Sequence, residues 1–172
     1  MDQIRVIDVK ESVLADNDRE ADRTREALKK QGTYFLNVMS SPGSGKTTTL
    51  RRLIRDLSPK FKFGVMEADI DGDVDARAMQ EDNVKTIQLH TGGMCHLDAE
   101  MSRQGLRALG IPIVSRATSI LTMPSRQRHF DLVILENVGN LVCPAEFDTG
   151  ADLNLVILSV PEGDDKPLKY PL

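Results

Sequence analysis

The stretch Ser40-Ser-Pro-Gly-Ser-Gly-Lys-Thr47 decides the fold of this chain. It follows the short apolar run Tyr34-Phe-Leu-Asn-Val-Met39, which predicts a strand. It precedes an amphipathic helix marked by Leu50, Leu53, Ile54 and Leu57. A glycine-rich turn between a strand and a helix presents backbone N–H groups to phosphate oxygens, and the helix dipole adds to the attraction. This context favours a P-loop over a glycine-rich turn without a ligand.

The residue types of this motif indicate separate tasks. Lys46 is predicted to reach the β- and γ-phosphates, and the Thr47 hydroxyl to bind Mg²⁺. Ser40 takes the place of the usual first glycine, and the rest of the motif is intact. The predicted nucleotide-binding residues are Pro42, Gly43, Ser44, Gly45, Lys46, Thr47, Thr48 and Gly139.

Two carboxylates are candidates for the chemistry beside the phosphates. Glu136 directly follows the apolar strand predicted over Asp131–Leu135, and Asp69 follows a second strand predicted over Phe63–Glu67. We predict that Lys46, Asp69 and Glu136 form the catalytic group, and that Thr47, Asp69 and Glu136 bind Mg²⁺. The Gly139 N–H is placed to sense the γ-phosphate. Asp71 and Asp73 are interpreted as a solvated acidic turn.

The order of predicted elements indicates an α/β fold. Further strands are expected over Thr86–Leu89 and Leu155–Val160, and helices over 11–30, over 74–81 and from about Cys95. Strands alternating with helices predict a mostly parallel sheet flanked by helices, here a P-loop NTPase. Residues 1–32 are expected to form a helical lead-in on the surface, 33–172 the P-loop domain, and 110–130 a long loop.

The two cysteines mark a second candidate site. Cys95-His96 lies at the start of the helix predicted there, where a helix N-terminus lowers a thiol pKa, and Cys143 lies seven residues beyond Glu136. Both follow strand ends, at the sheet edge that carries the P-loop. Spacing alone leaves open whether they are metal ligands or small buried hydrophobes. The contiguous Cys-His pair favours a Zn²⁺ or Ni²⁺ site, shared across a dimer if a fourth ligand is needed.

Composition restricts the class of protein. The chain has 172 residues, 40% of them hydrophobic and 28% charged, which predicts a globular domain with its own core. A net charge of −4 argues against nucleic acid as a partner. No apolar run approaches the ~20 residues of a membrane span, and the N-terminus has no secretory h-region. We therefore expect a cytoplasmic protein with reduced thiols and no membrane partner.

These motifs together resemble one family, the hydrogenase nickel-incorporation GTPases called HypB. The matching stretches are Met39–Thr47, Glu67–Asp71, Cys95–Ala99, Glu136–Asp148 and Pro161–Pro171. The resemblance implies slow GTP hydrolysis with Mg²⁺, nucleotide-dependent homodimerisation, and Ni²⁺ or Zn²⁺ bound by Cys95, His96 and Cys143. It also implies delivery of nickel to a hydrogenase large-subunit precursor together with a second nickel chaperone. The family's guanine-reading Asn-Lys-x-Asp strand is expected beyond Leu172, so the base preference comes from the resemblance alone.

Two other functions remain open at this stage. A small-molecule P-loop kinase would use the arginines of 110–130 as a lid over its acceptor, but it leaves Cys95-His96 and Cys143 unexplained. The second alternative is a non-enzymatic metal-binding module with an incomplete nucleotide pocket. Phosphate release from GTP and ATP, with and without an acceptor, separates the three.

Overall fold

A computed structural model describes residues 9–69, 84–113, 130–163, 165 and 168. Helix α1 (Val9–Gln31) leads into strand β1 (Tyr34–Ser40), and the P-loop then opens helix α2 (Lys46–Leu57). Strands β2 (Phe63–Asp69) and β3 (Lys85–His90) follow, then helix α3 (Ala99–Leu109) and strand β4 (Leu132–Gly139). The short helix α4 (Cys143–Glu146), strand β5 (Leu153–Ile157) and a 3-10 turn (Val160–Glu162) complete the described elements.

The strands form one parallel sheet in the order β3-β2-β4-β1-β5. The side chains of β1 alternate between two cores, because successive residues of a strand point to opposite faces. Leu36 and Val38 pack with α2, and Phe35 packs with Leu28 of α1 on the other face. Helices thus cover both faces of a parallel sheet, which confirms the predicted fold class.

Several predicted boundaries need correction. Strand β4 continues through Gly139 and does not end at Leu135, because its polar residues keep pairing with β1. Helix α3 begins at Ala99 and not near Cys95, since Asp98 is the N-cap and accepts a hydrogen bond from the Met101 N–H at 2.8 Å. Strand β5 lies two residues earlier than predicted. The predicted helix 74–81 and most of the 110–130 loop lie outside the described residues.

Helix α1 is an integral part of this fold. Ala21 and Leu28, both on its predicted apolar stripe, are fully buried. Gly150, in the loop before β5, adopts φ +83°, and a Cβ atom there would lie 3.0 Å from the Ala21 carbonyl oxygen. Glycine at this position therefore serves both a left-handed turn and close contact with α1.

We expect Gly150→Ala to destabilise the protein more than Gly93→Ala does. Both glycines have a positive φ, which costs an alanine roughly 1–2 kcal/mol, but a Cβ on Gly93 meets no atom within 4 Å. Gly150→Ala also forces α1 away from its loop, which should add about 1 kcal/mol or more. Denaturant unfolding measures both; equal losses would show that α1 does not press on this loop.

Candidate functional site

The P-loop has the geometry of a phosphate cradle. Gly43 and Gly45 adopt φ of +75° and +89°, and a Cβ on either would meet no atom within 4 Å. The turn thus depends on glycine backbone freedom, and it leaves open space in front of its N–H groups. The first helical hydrogen bond of α2 runs from the Thr49 N–H to the Gly45 carbonyl at 2.9 Å. The helix N-terminus consequently begins at Lys46, where the motif predicts it.

Glu136 is buried, is not among the residues that line the cavity, and contacts Lys46 and Thr47 at the end of this cradle. Its Oε1 accepts a hydrogen bond from the Thr47 hydroxyl at 2.6 Å, and the Lys46 Nζ lies 3.8 Å from the same oxygen. The Glu136 side chain is only 2% exposed, so this contact between charges has little screening by water. The structure therefore brings together three of the residues predicted to act on phosphate and Mg²⁺.

A cavity of about 460 Å³ opens in front of these groups. Asp69 contributes to its wall, as the sequence predicts, while Asp71 and Asp73 lie outside the described residues. The lining residues are Pro42, Gly43, Gly45, Lys46, Thr47, Thr48, Glu67, Ala68, Asp69 and Gly139. Of the predicted nucleotide-binding residues, only Ser44 is not part of this lining.

Glu67 also lines this cavity and was not among the predicted site residues. Glu67 is buried and pairs in register with Glu136 on the neighbouring strand, so two carboxylates face the end of α2 side by side. A signal was present, because Glu67 continues the alternating positions Phe63 and Val65, which point into the α2 core. An acidic residue at an inward position of an apolar strand needs a charged partner.

Gly139 brings β4 against the P-loop. A Cβ on Gly139 would lie 3.2 Å from Pro42 Cγ and 3.3 Å from Pro42 Cα, closer than nearly all Cβ contacts. The approach depends on an extra residue in β4, because the pairing of β1 with β4 shifts between Val38 and Ser40. Asn137 occupies this bulge, is buried, and donates to Asn37 Oδ1 at 3.0 Å.

The two cysteines meet at the same edge of the sheet. Cys95 lies in the loop after β3, Cys143 begins α4, and the Cys143 thiol lies near enough to Cys95 to raise its pKa. The next residue after Gly139 joins the loops: Asn140 Nδ2 donates to the Cys95 carbonyl at 3.2 Å, and its Oδ1 accepts from the Val142 N–H. Residues 48 positions apart in the sequence are therefore neighbours, as the parallel sheet predicted.

His96 lies beside this thiol pair. Its Nδ1 is 4.0 Å from the Cys95 Sγ, and its ring stacks on Phe147, with centroids 3.9 Å apart and an angle of 12° between planes. Within residues 9–69, 84–113 and 130–163, no three His, Cys, Asp or Glu side chains converge closely enough to hold a metal ion. The three-ligand set of Cys95, His96 and Cys143 thus stays a prediction, while its two thiols are already together.

The electrostatics of Cys95 differ from the expectation. A helix N-terminus was expected to lower its pKa, but α3 begins four residues later. The hydrogen bond with Cys143 instead raises the pKa of the Cys95 thiol above its ordinary value. In the metal-free protein this thiol therefore keeps its proton to higher pH, and a metal ion must displace it.

Comparison with known proteins agrees with this geometry. A family model described as the nucleotide-binding domain of CobW/HypB/UreG matches residues 34–156. The probable hydrogenase maturation factor HypB of Methanocaldococcus jannaschii is 35% identical over 99% of this chain and 70% of that protein. The chain belongs to the HypB family. The hydrogenase/urease maturation factor HypB of Helicobacter hepaticus is 42% identical over 96% of the chain and 62% of that protein.

Solved HypB structures share the fold. HypB from Helicobacter pylori, crystallised in complex with nickel, superposes with a TM-score of 0.75 at 43% identity, over 91% of this chain and 66% of that one. HypB from Archaeoglobus fulgidus superposes with a TM-score of 0.75 at 36% identity, over 92% of this chain and 69% of that one. The chain spans 62% of the Helicobacter hepaticus protein and 52% of its relative from Rhizobium leguminosarum.

Among the described residues of this HypB-family chain, no helix is both long and apolar enough to cross a bilayer.

We expect Cys143→Ala to lower the pKa of Cys95, because it removes the hydrogen bond that raises it. At any pH below that pKa, the variant should hold more Cys95 thiolate and react faster with iodoacetamide. Alkylation rates of metal-free protein across a pH series measure the shift, with Val142→Ala as the control on the same loop. A Cys95 reactivity profile that is identical in wild type and Cys143→Ala would contradict the thiol contact.

Proposed function

We propose that this chain forms the nucleotide-binding part of a GTP-hydrolysing nickel chaperone for hydrogenase maturation. In this proposal GTP-dependent dimerisation is coupled to the binding and transfer of Ni²⁺, with Zn²⁺ as a competing ion. One observation supports the proposal most directly: Gly139 lies against the P-loop, and the adjacent Asn140 holds the loop of Cys95. The HypB name of the relatives and the nickel-bound Helicobacter pylori structure support it from outside the chain.

The residues around the phosphate cavity fit Mg²⁺. A hydroxyl and a carboxylate only 2.6 Å apart, with a second and third carboxylate in the cavity wall, are the hard oxygen donors that this ion prefers. Thr47, Glu136 and Asp69 would hold it, and the bound ion would neutralise charge on the phosphates. Lys46 binds the phosphate oxygens, and Glu136 or Asp69 accepts a proton from the attacking water.

The thiol pair fits a soft divalent cargo. In a tetrahedral site with bonds of about 2.3 Å to sulfur and about 2.1 Å to nitrogen, these two atoms lie roughly 3.6 Å apart. The observed 4.0 Å between Cys95 Sγ and His96 Nδ1 is close to this value, so these two atoms suit one ion, and Cys143 is the third ligand of the proposed site. A fourth ligand comes from a second protomer, which gives dimerisation a role in metal binding.

The remaining parts of the proposal concern the cell. The chain would act in the cytoplasm, where a reducing environment keeps thiols such as Cys95 and Cys143 available to a metal ion. The partners would be a second nickel chaperone, which supplies or receives the ion, and the precursor of a hydrogenase large subunit. The described residues do not test the small-molecule kinase, because most of its proposed lid lies outside them.

We predict that Glu136→Gln slows phosphate release from GTP by about 10²-fold or more, while nucleotide affinity changes by less than about 10-fold. The substitution keeps the shape of the side chain and its contact with the Thr47 hydroxyl, but it removes the charge. Lys46→Ala is the matched comparison, because loss of the phosphate-binding ammonium should abolish nucleotide binding itself. Single-turnover hydrolysis and titration with a fluorescent nucleotide separate the two effects. Equal losses of binding and hydrolysis in Glu136→Gln would count against a role in the reaction.

We also predict that nickel and nucleotide binding are coupled through Gly139 and Asn140. When the γ-phosphate moves Gly139, Asn140 must shift the loop of Cys95 relative to Cys143. Coupling free energies of this kind are typically ~1–3 kcal/mol and reciprocal, so Ni²⁺ affinity should differ at least about five-fold between the GDP and GTP-analogue states.

Isothermal titration of the GDP and GTP-analogue complexes with Ni²⁺ measures this coupling. Cys143→Ala should remove the difference between the two states, while Val142→Ala, an exposed neighbour, should leave it unchanged. The same Ni²⁺ affinity in both nucleotide states of the wild type would show that the two sites are neighbours only.

A further inference from the structure

Asn17 of helix α1 connects the two loops that carry the thiols. Its Oδ1 accepts a hydrogen bond from the Ala99 N–H at 2.8 Å, and its Nδ2 donates to the Asp148 carbonyl at 2.9 Å. Ala99 is the first residue of α3, three positions after His96, and Asp148 directly follows Phe147. One side-chain amide therefore bridges two backbone positions that are 49 residues apart.

A second residue of α1 fixes the Asp148 end of this bridge. Both carboxylate oxygens of Asp148 accept hydrogen bonds from Arg25 Nη2, at 2.7 and 2.9 Å, and Arg25 Nε donates to the Ala151 carbonyl at 3.1 Å. The Gly150 N–H also donates to Asp148 Oδ1 at 2.8 Å. The Asp148 carboxylate is thus held by Arg25 and by the Gly150 N–H, and Asn17 bonds to the backbone carbonyl of the same residue.

The two loops that Asn17 bridges also contact each other directly. The Cys95–Cys143 thiol contact, the Asn140 bond to the Cys95 carbonyl and the stacking of His96 on Phe147 all join the same two segments. The thiols of a tetrahedral site are separated by roughly 3.8 Å, so a shift of one loop by about 1 Å prevents both from binding one ion. The separation of the loops is therefore a functional quantity, and Asn17 spans it.

We propose that Asn17 is a positioning residue of the thiol site, through which α1 sets the distance between Cys95 and Cys143. The proposal rests on the proposed metal-binding function of these two cysteines. It contrasts with a purely structural role, in which Asn17 only satisfies the free N–H at the start of α3. The two roles use different atoms of the amide, so substitution can separate them.

Asn17→Asp is the discriminating variant. The carboxylate still accepts from the Ala99 N–H, and its charge favours the N-terminus of α3, so the capping role is retained. It has no hydrogen to donate, and it repels the Asp148 carbonyl, so the bridge is broken. Asn17→Leu removes both contacts. Ala15→Asp adds the same charge to an exposed position on the same helix and serves as the control.

The first measurement needs no metal. Oxidised glutathione converts the two thiols into a disulfide in two exchange steps, releasing two molecules of reduced glutathione, and the rate reports how closely the thiols are held. In dilute metal-free protein we expect Asn17→Asp and Asn17→Leu to form the Cys95–Cys143 disulfide at least about five-fold more slowly than wild type, and Ala15→Asp to match wild type. A rate in Asn17→Asp equal to or above that of wild type would overturn the proposal.

The second measurement tests the consequence for the metal. Competition with a chromophoric chelator should show Ni²⁺ affinity reduced about ten-fold or more in both Asn17 variants, with a weaker thiolate-to-nickel absorption band, while nucleotide affinity stays at the wild-type value. Thermal unfolding of the metal-free Asn17→Asp protein should remain within about 2 °C of wild type. Wild-type nickel affinity and absorption in Asn17→Asp would leave only the capping role. If wild-type protein itself bound no Ni²⁺, the proposed function would fail, and the disulfide rates would still decide the role of Asn17.

Discussion

Glu136 and Asn140, at and just beyond the carboxyl end of β4, contact the two loops that carry the predicted phosphate and metal sites. Glu136 accepts from the Thr47 hydroxyl in the P-loop, and Asn140 donates to the carbonyl of Cys95. β4 lies at the centre of the sheet, between β2 and β1, so its position is fixed from both sides. One short stretch of backbone therefore joins the P-loop to the loop of Cys95, and Gly139 is the point at which that stretch contacts the P-loop. In the proposed function, a change at the phosphates reaches the thiols along this stretch.

Burying the Glu136 carboxylate costs free energy, and neighbouring residues offset that cost. A buried carboxylate such as Glu136 is unfavourable unless charged and hydrogen-bonding partners surround it, and breaking such a buried pair typically costs about 3–5 kcal/mol. Lys46 and the Thr47 hydroxyl supply these partners from the start of α2. The bulge before Gly139 leaves backbone groups without their regular strand partners. The buried Asn137 side chain accepts a hydrogen bond from the Val138 N–H and donates one to Asn37. Polar groups inside this core are thus concentrated where β4 must leave regular pairing.

Local sequence patterns predicted the strands and helices well. They failed where pairing between distant segments determines the end of an element or the position of a side chain. The strand, glycine turn and amphipathic helix around Lys46 have separate local signatures, and each formed as expected. The end of β4 was misjudged because hydrophobicity stops at Leu135, whereas the backbone bonds to β1 continue through polar residues. The proximity of Cys95 to Cys143 followed from a general rule of parallel sheets. No local signal marks Asn17, since its two partners lie 82 and 131 residues away along the chain.

Helix α1 lies outside the nucleotide-binding domain that this chain shares with the broader CobW/HypB/UreG group. The match to the CobW/HypB/UreG nucleotide-binding domain begins at residue 34, so it contains the P-loop and β4 but excludes α1. The phosphate cavity belongs to the matched part, because none of the residues that line it belongs to α1. Asn17 and Arg25 instead contact the segments that follow His96 and Phe147. Helix α1, predicted as a surface lead-in, thus packs into the fold and contacts both thiol loops. If Asn17 positions these loops as proposed, a change in α1 alters the thiol pair and leaves the phosphate site unaltered.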